Sequence, residues 1–202
     1  MKNFLNIDNP IELARAEERI SKQKAISIWT ENKLKDFSPG SFEALAYIHK
    51  KLFEEIYEFA GKIRNVNISK GNFRFASAMY LREAILSIEK MPQSNFDEII
   101  EKYVEMNVAH PFREGNGRSM RIWLDDILKA EIKKVVDWSK IDKNTYLQAM
   151  ERSPINDIEI KKILFEALTE KIDDREIFMK GLDNSYFYEN YFAYRSEELQ
   201  NQ

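Results

Sequence analysis

Cysteine is absent from the 202 residues, and histidine occurs only twice, as His49 and His110. A chain without thiols has no disulfide framework and no thiolate metal site. Two histidines are too few for a histidine-rich zinc site. Glycine (6) and proline (5) are scarce, so the chain lacks the turn punctuation of a many-stranded protein. No run of about 18 apolar residues is present, and the N-terminus has no apolar signal-peptide core. These absences predict a cytoplasmic protein with no membrane contact. Charge of one sign is lacking too: 31 Lys and Arg face 34 Asp and Glu, for a net charge of -3. That balance argues against direct nucleic-acid binding or attachment to anionic lipid.

What the chain does have is helical periodicity and enough length for a sizeable core. The fold class expected is all-α with one short β-hairpin. Asn9-Pro10 reads as an N-cap followed by proline at the first helical position, opening a charged helix to about Lys33. Ser38-Pro39 starts a second helix, on which Phe42, Leu45, His49, Leu52, Phe53 and Ile56 share a face. His49 lies in that stripe and reads as a packed, hydrogen-bonded core histidine rather than a base or ligand. From Val66 the pattern alternates, and Lys70-Gly71-Asn72 forms a turn before Phe73, Arg74 and Phe75, which predicts the hairpin. Helices then follow over about Met79–Met91, from Asn95 to Val108, from Gly115 or Asn116 onward, over Lys143–Glu151 and over Asp157–Ile172. The chain divides into an N-terminal helical segment 1–37, a core domain 38–172 and a C-terminal segment 173–202.

The chemistry concentrates in His110-Pro111-Phe112-Arg113-Glu114-Gly115-Asn116-Gly117-Arg118-Ser119-Met120-Arg121. His110 is a base whose ordinary pKa lies near neutrality. Glu114 offers hard oxygens suited to Mg²⁺. The Gly115-Asn116-Gly117 turn lets main-chain N–H groups approach an anion at a helix N-terminus. Arg118 and Arg121 lie three residues apart on one helix face and suit phosphate oxygens. Arg121 also has Asp125 as an i,i+4 partner, so a helix-surface ion pair is the plain alternative for it. Asn107, three residues before His110, reads either as a group that orients the histidine or meets a nucleotide, or as a capping or solvent-facing side chain.

These twelve residues match H-x-F-x-(D/E)-G-N-G-R-x-x-R at every defined position, and the chain resembles Fic-type nucleotidyltransferases. The resemblance implies transfer of AMP from ATP to a Ser, Thr or Tyr hydroxyl of a target protein. Its cofactors would be ATP as co-substrate and Mg²⁺ on Glu114. His110 would be the general base, and Gly115, Asn116, Gly117, Arg118 and Arg121 the phosphate site. The hairpin would be a flap on which the target protein docks by strand addition, with Lys70 and Phe73 reaching the nucleotide or the target. Transfer of UMP, phosphocholine or a phosphoryl group is the alternative activity. Relatives resembling the Doc kinase carry Ala at position 115 and Lys at 117, so Gly115 and Gly117 favour nucleotide transfer. A non-catalytic nucleotide-binding module is the rival from outside enzymology.

The C-terminal stretch Ser185-Tyr186-Phe187-Tyr188-Glu189-Asn190 matches the inhibitory pattern (S/T)-x-x-x-E-(G/N) of a Fic subclass. That resemblance implies a helix over the nucleotide site, with Glu189 on Arg121 and Ser185 one turn earlier steadying it. Tyr186 and Tyr188, if exposed, are candidate self-modification sites. Self-association into a homo-oligomer is compatible with such a switch.

Overall fold

The computed structural model describes residues 2–70 and 73–188. Eight helices are present among them: α1 (Pro10–Glu31), α2 (Phe42–Phe53), α3 (Leu81–Glu89), α4 (Phe96–Ala109), α5 (Asn116–Ile132), α6 (Lys143–Arg152), α7 (Ile158–Glu166) and α8 (Arg175–Tyr188). Their starts follow from local chemistry. Asn9 Oδ1 accepts the Ile11 and Glu12 N–H groups ahead of α1, and Pro10 occupies the first turn. Ser41 caps α2 through the Ala44 N–H, and Asn95 caps α4 through the Glu98 N–H.

The hairpin forms where the alternation predicted it: β1 (Ser69–Lys70) pairs antiparallel with β2 (Phe73–Arg74), Lys70 opposite Phe73. A second pairing was not expected. β3 (Val135–Val136) pairs antiparallel with β4 (Leu168–Thr169), and the Asp137 N–H extends it to the Ala167 carbonyl at 2.9 Å. The helix expected over Asp157–Ile172 accordingly stops at Glu166, because the backbone beyond it is committed to β3. The fold remains all-α with two minimal strand pairs.

α5 is the central element and packs against α2, α4 and α8. Trp123, Leu124, Ile127 and Leu128 on it are fully buried, and the Trp123 indole N–H donates to the Ser41 carbonyl at 3.0 Å. One apolar cluster runs from Leu13 in α1 to Tyr186 in α8, so the three segments read from the sequence share a core. Full burial of each aliphatic side chain in it contributes roughly 1.5–3 kcal/mol.

Gly115, at the N-cap of α5, has φ +78°. A Cβ there would collide with the buried Phe53 ring. Gly115→Ala is therefore expected to lose about 1–2 kcal/mol to left-handed backbone and about 1–3 kcal/mol more to overpacking. Urea denaturation measures it, and a midpoint unchanged from wild type would contradict the account.

Candidate active site

Proline after His110 stops α4, and His110 becomes its C-cap with φ 49° and ψ 64°. That left-handed conformation is uncommon for a residue with a side chain. The His110 N–H still reaches the Met106 carbonyl at 2.9 Å. Imidazole Nδ1 lies 3.2 Å from the Asn107 carbonyl. A carbonyl only accepts, so the neutral ring carries its hydrogen on Nδ1 and its basic lone pair on Nε2. The main-chain carbonyl of Asn107 thus orients the ring. Phe75, just past the flap strand β2, stacks on the same ring with centroids 3.7 Å apart.

Main-chain geometry between α4 and α5 is held by side chains. Asn116, which is buried, closes a loop on Phe112: its Oδ1 accepts the Phe112 N–H at 2.9 Å and its Nδ2 donates to the Phe112 carbonyl at 2.8 Å. His49 Nδ1 accepts the Gly61 N–H at 2.9 Å, which fixes the hydrogen on Nε2, 2.7 Å from the Glu114 carbonyl. His49 is thus the packed core histidine anticipated, and it sets the position of Glu114. Burial, helped by the Arg118 charge and opposed by the bond to Glu114, lowers its pKa to about 3.

Glu114 Oε1 accepts the Gly115 N–H at 3.0 Å and an Arg118 N–H at 2.6 Å, with the side chain 40% exposed. The Gly115 amide, expected in the anion site, is therefore directed at Glu114. Asn116 and Gly117 supply first-turn amides of a helix with no side-chain cap, and Gly117 is exposed. Among the described residues no three His, Asp or Glu side chains gather to hold a metal. A single accessible carboxylate suits Mg²⁺ that takes its other ligands from phosphate oxygens and water.

Both arginines of the motif are buried and engaged. Arg118 pairs with Glu17 of α1 and with Glu114, and its guanidinium lies 4.8 Å from the Tyr186 ring and 5.3 Å from that of Phe53. Glu17 in turn accepts the Tyr57 hydroxyl at 2.5 Å; burial first, and Glu17 second, push the Tyr57 pKa far up. Arg121 donates to the Gly181 carbonyl at 2.9 Å and lies over the Trp138 ring at 4.2 Å. Asp125 accepts the Val136 N–H at 2.9 Å, and burial pushes its carboxyl up to about 7. The arginines expected to face a phosphate are thus covered by α1 and α8.

α8 lies across this end of α5. Asp183 pairs with Lys22 at 2.8 Å, Asn184 donates to the Trp138 carbonyl, and the Tyr186 hydroxyl lies 2.5 Å from Ser21 Oγ. Ser185 is buried, with Oγ 3.5 Å from where a Cβ on Gly117 would stand. The exposure required for modification of Tyr186 is absent: it is 1% exposed, wedged between α1 and Arg118. Phe73 is half-buried and meets Phe75 at 5.1 Å. Glu189 and Asn190 lie outside the described residues, as do Gly71 and Asn72 and the side chains of Lys70, Phe187 and Tyr188. Sequence reasoning missed Glu17, Tyr57 and Arg64, because nothing local marks a buried polar group whose partners lie far away in the chain.

A helical core brings a histidine, a carboxylate and a glycine-flanked helix N-terminus to one corner. Residues 39–128 match the Fic/DOC family model, and the chain carries a Fic/DOC domain there. It is similar to "Probable protein adenylyltransferase Fic" of Salmonella typhimurium, at 26% identity over 82% of this chain and 86% of that one. It is 30% identical to "Protein adenylyltransferase VbhT" of Bartonella schoenbuchensis over 74% of this chain and 33% of the relative. Its fold matches the crystal structure of the BepC protein of Bartonella tribocorum with bound AMPPNP. The TM-score is 0.67 at 19% identity, covering 84% of this chain and 92% of that one.

The His49 pKa carries a stability consequence. Between its ordinary 6.5 and about 3, the unfolded chain binds a proton here that the folded chain refuses, so stability falls as pH drops through that window. His49→Gln removes this contribution. Lowering pH from about 7 to about 5 is expected to destabilise wild type more than the variant. Thermal melts of both proteins check it, and equal losses would refute the buried neutral imidazole.

Proposed function

We propose that this chain is a protein adenylyltransferase that moves AMP from ATP to a Ser, Thr or Tyr hydroxyl of a target protein. The observation that carries the reading is the corner itself: His110, its Nδ1 turned to the Asn107 carbonyl so that the basic lone pair is on Nε2, is joined by one short connection to the uncapped first turn of α5. The target hydroxyl gives its proton to His110 Nε2 as its oxygen attacks the α-phosphorus, and pyrophosphate leaves. Asn116 and Gly117 amides hold phosphate oxygens at the helix N-terminus. Glu114 would hold Mg²⁺, whose charge offsets that of the leaving pyrophosphate. Arg118 and Arg121 orient the β/γ end for in-line displacement once their protein partners yield. The target segment adds as a strand to the flap, with Lys70 and Phe73 as the flap residues proposed to reach the nucleotide or hold the target.

The same reading makes the described state an inhibited one. Ser185 against Gly117 and the Gly181 carbonyl on Arg121 support a C-terminal helix that occupies the nucleotide site. Glu189, one turn beyond Ser185, then pairs with Arg121 and adds negative charge where ATP brings more. Self-modification of Tyr186 would require this end of α8 to leave α1 first.

Transfer of label from ATP marked at the α-phosphate, into protein from a cell lysate, tests both halves. Glu189→Gly is expected to raise transfer above wild type. His110→Ala in that background is expected to lower it roughly 10²–10⁴-fold. No label in any variant, with UTP as donor restoring it, would redirect the reading to UMP. Nucleotide binding without transfer from either donor would leave a binding module.

A further inference from the structure

We propose that Arg64 is a positioning residue: one guanidinium locks the foot of the flap to the carbonyl end of α4 and thereby sets the His110 imidazole. Its Nε donates to the His110 carbonyl at 2.8 Å, Nη1 to Val66 at 2.6 Å, and Nη2 to Ala76 at 2.6 Å and Ala109 at 3.0 Å. The Arg64 main-chain N–H adds a bond to the Pro111 carbonyl at 2.8 Å. The side chain is 3% exposed and meets four main-chain carbonyls, with no carboxylate among the described residues.

Those four carbonyls define the role. Ala109 and His110 are the last carbonyls of α4, where the helix dipole is negative and intrahelical donors have run out. Val66 and Ala76 are the two limbs of the flap, one before β1 and one after β2. A planar fork with five N–H donors reaches both sets at once; the three donors of a lysine ammonium diverge from a single atom and do not. The limb bonded at Ala76 also donates its N–H to the Val108 carbonyl at 2.9 Å. Phe75, next to it, is the residue stacked on His110.

Flap position and imidazole orientation are therefore one coupled geometry. A target strand pairing with the flap, which rests on the function proposed above, pulls on the same limbs that hold the base. The guanidinium touches no reacting atom; it acts through the His110 carbonyl and through Phe75.

The chain's two histidines make a direct test possible, independent of catalysis. In a ¹⁵N imidazole spectrum, wild-type His110 is expected as the Nδ1–H tautomer and His49 as the Nε2–H tautomer. In Arg64→Lys, His110 is expected to become a mixture of tautomers while His49 keeps its pattern and reports an intact core. Amide exchange should quicken at Ala76 and His110 in the same variant. In the Glu189→Gly background, Arg64→Lys should lower kcat by about 10–100-fold, the scale of a misplaced catalytic group, with the KM for ATP within about twofold, since no phosphate contact is lost. If the lysine variant fails to fold, Phe75→Leu, which leaves the buried charge in place, should shift the His110 tautomer. An unchanged His110 tautomer and unchanged exchange in Arg64→Lys, with His49 intact, would overturn the proposal. So would an unchanged tautomer in Phe75→Leu. Because the spectra need no turnover, a failure of the adenylyl-transfer reading would show in the label assay alone.

Discussion

The corner between α4 and α5 is the constraint on which the rest of the molecule depends. Within six residues the chain must end one helix, pass a proline, and start another, with left-handed backbone at both His110 and Gly115. Only glycine takes such a conformation without steric penalty, so the His110 end has to be held from outside. The holding groups come from distant elements: Arg64 on the His110 carbonyl, His49 on the Glu114 carbonyl, and Asn116 on both polar groups of Phe112. Each is buried, where hydrogen bonds are stronger and an unmade one is more costly. The corner is thus rigid before any ligand arrives, which is what positioning a base against a phosphorus requires.

Buried charge is the second organising theme. Arg118 would be prohibitively desolvated without Glu17 and Glu114, and Glu17 without Tyr57. This chain of contacts ties α1, whose sequence carries no motif, to the carboxylate best suited to a metal. α1 therefore belongs to the site as much as to the core. The ionic bonds are also incompatible with Arg118 lying wholly on a nucleotide, so ligand binding and rearrangement near Glu17 are linked.

Much of this was legible in the sequence because the relevant signals are local. The twelve-residue motif places His110, Glu114 and the glycines by chain position alone. Caps at Asn9 and Asn95 fix helix starts, and alternation around Val66 locates the flap. His49 was readable as a core residue because it sits in an apolar stripe. Interactions between distant positions were not readable. Two-residue strands 135–136 and 168–169 carry no periodicity, so β4 was absorbed into the preceding helix. Arg64 looks like any loop residue until its four carbonyls assemble around it. Tyr186 looks like a surface tyrosine until Ser21, 165 positions away, meets its hydroxyl.

The packing of α8 also bears on how that helix would be released if it acts as the inhibitor proposed above. Ile177, Met179, Leu182 and Tyr186 are all buried against the core. At roughly 1.5–3 kcal/mol for each such side chain, lifting the whole helix costs about as much as the total stability of a typical domain. Complete undocking is therefore a poor switch, since the protein would approach unfolding before it became active. On the proposed reading, the contacts that would obstruct the anion site are concentrated at the last turn, where Ser185 faces Gly117 and Tyr186 meets Ser21 and Arg118. A change confined to that turn removes the obstruction and keeps Ile177, Met179 and Leu182 in place. For the switch proposed above, a local rearrangement at Ser185 and Tyr186 is the route that the energetics of burial favour.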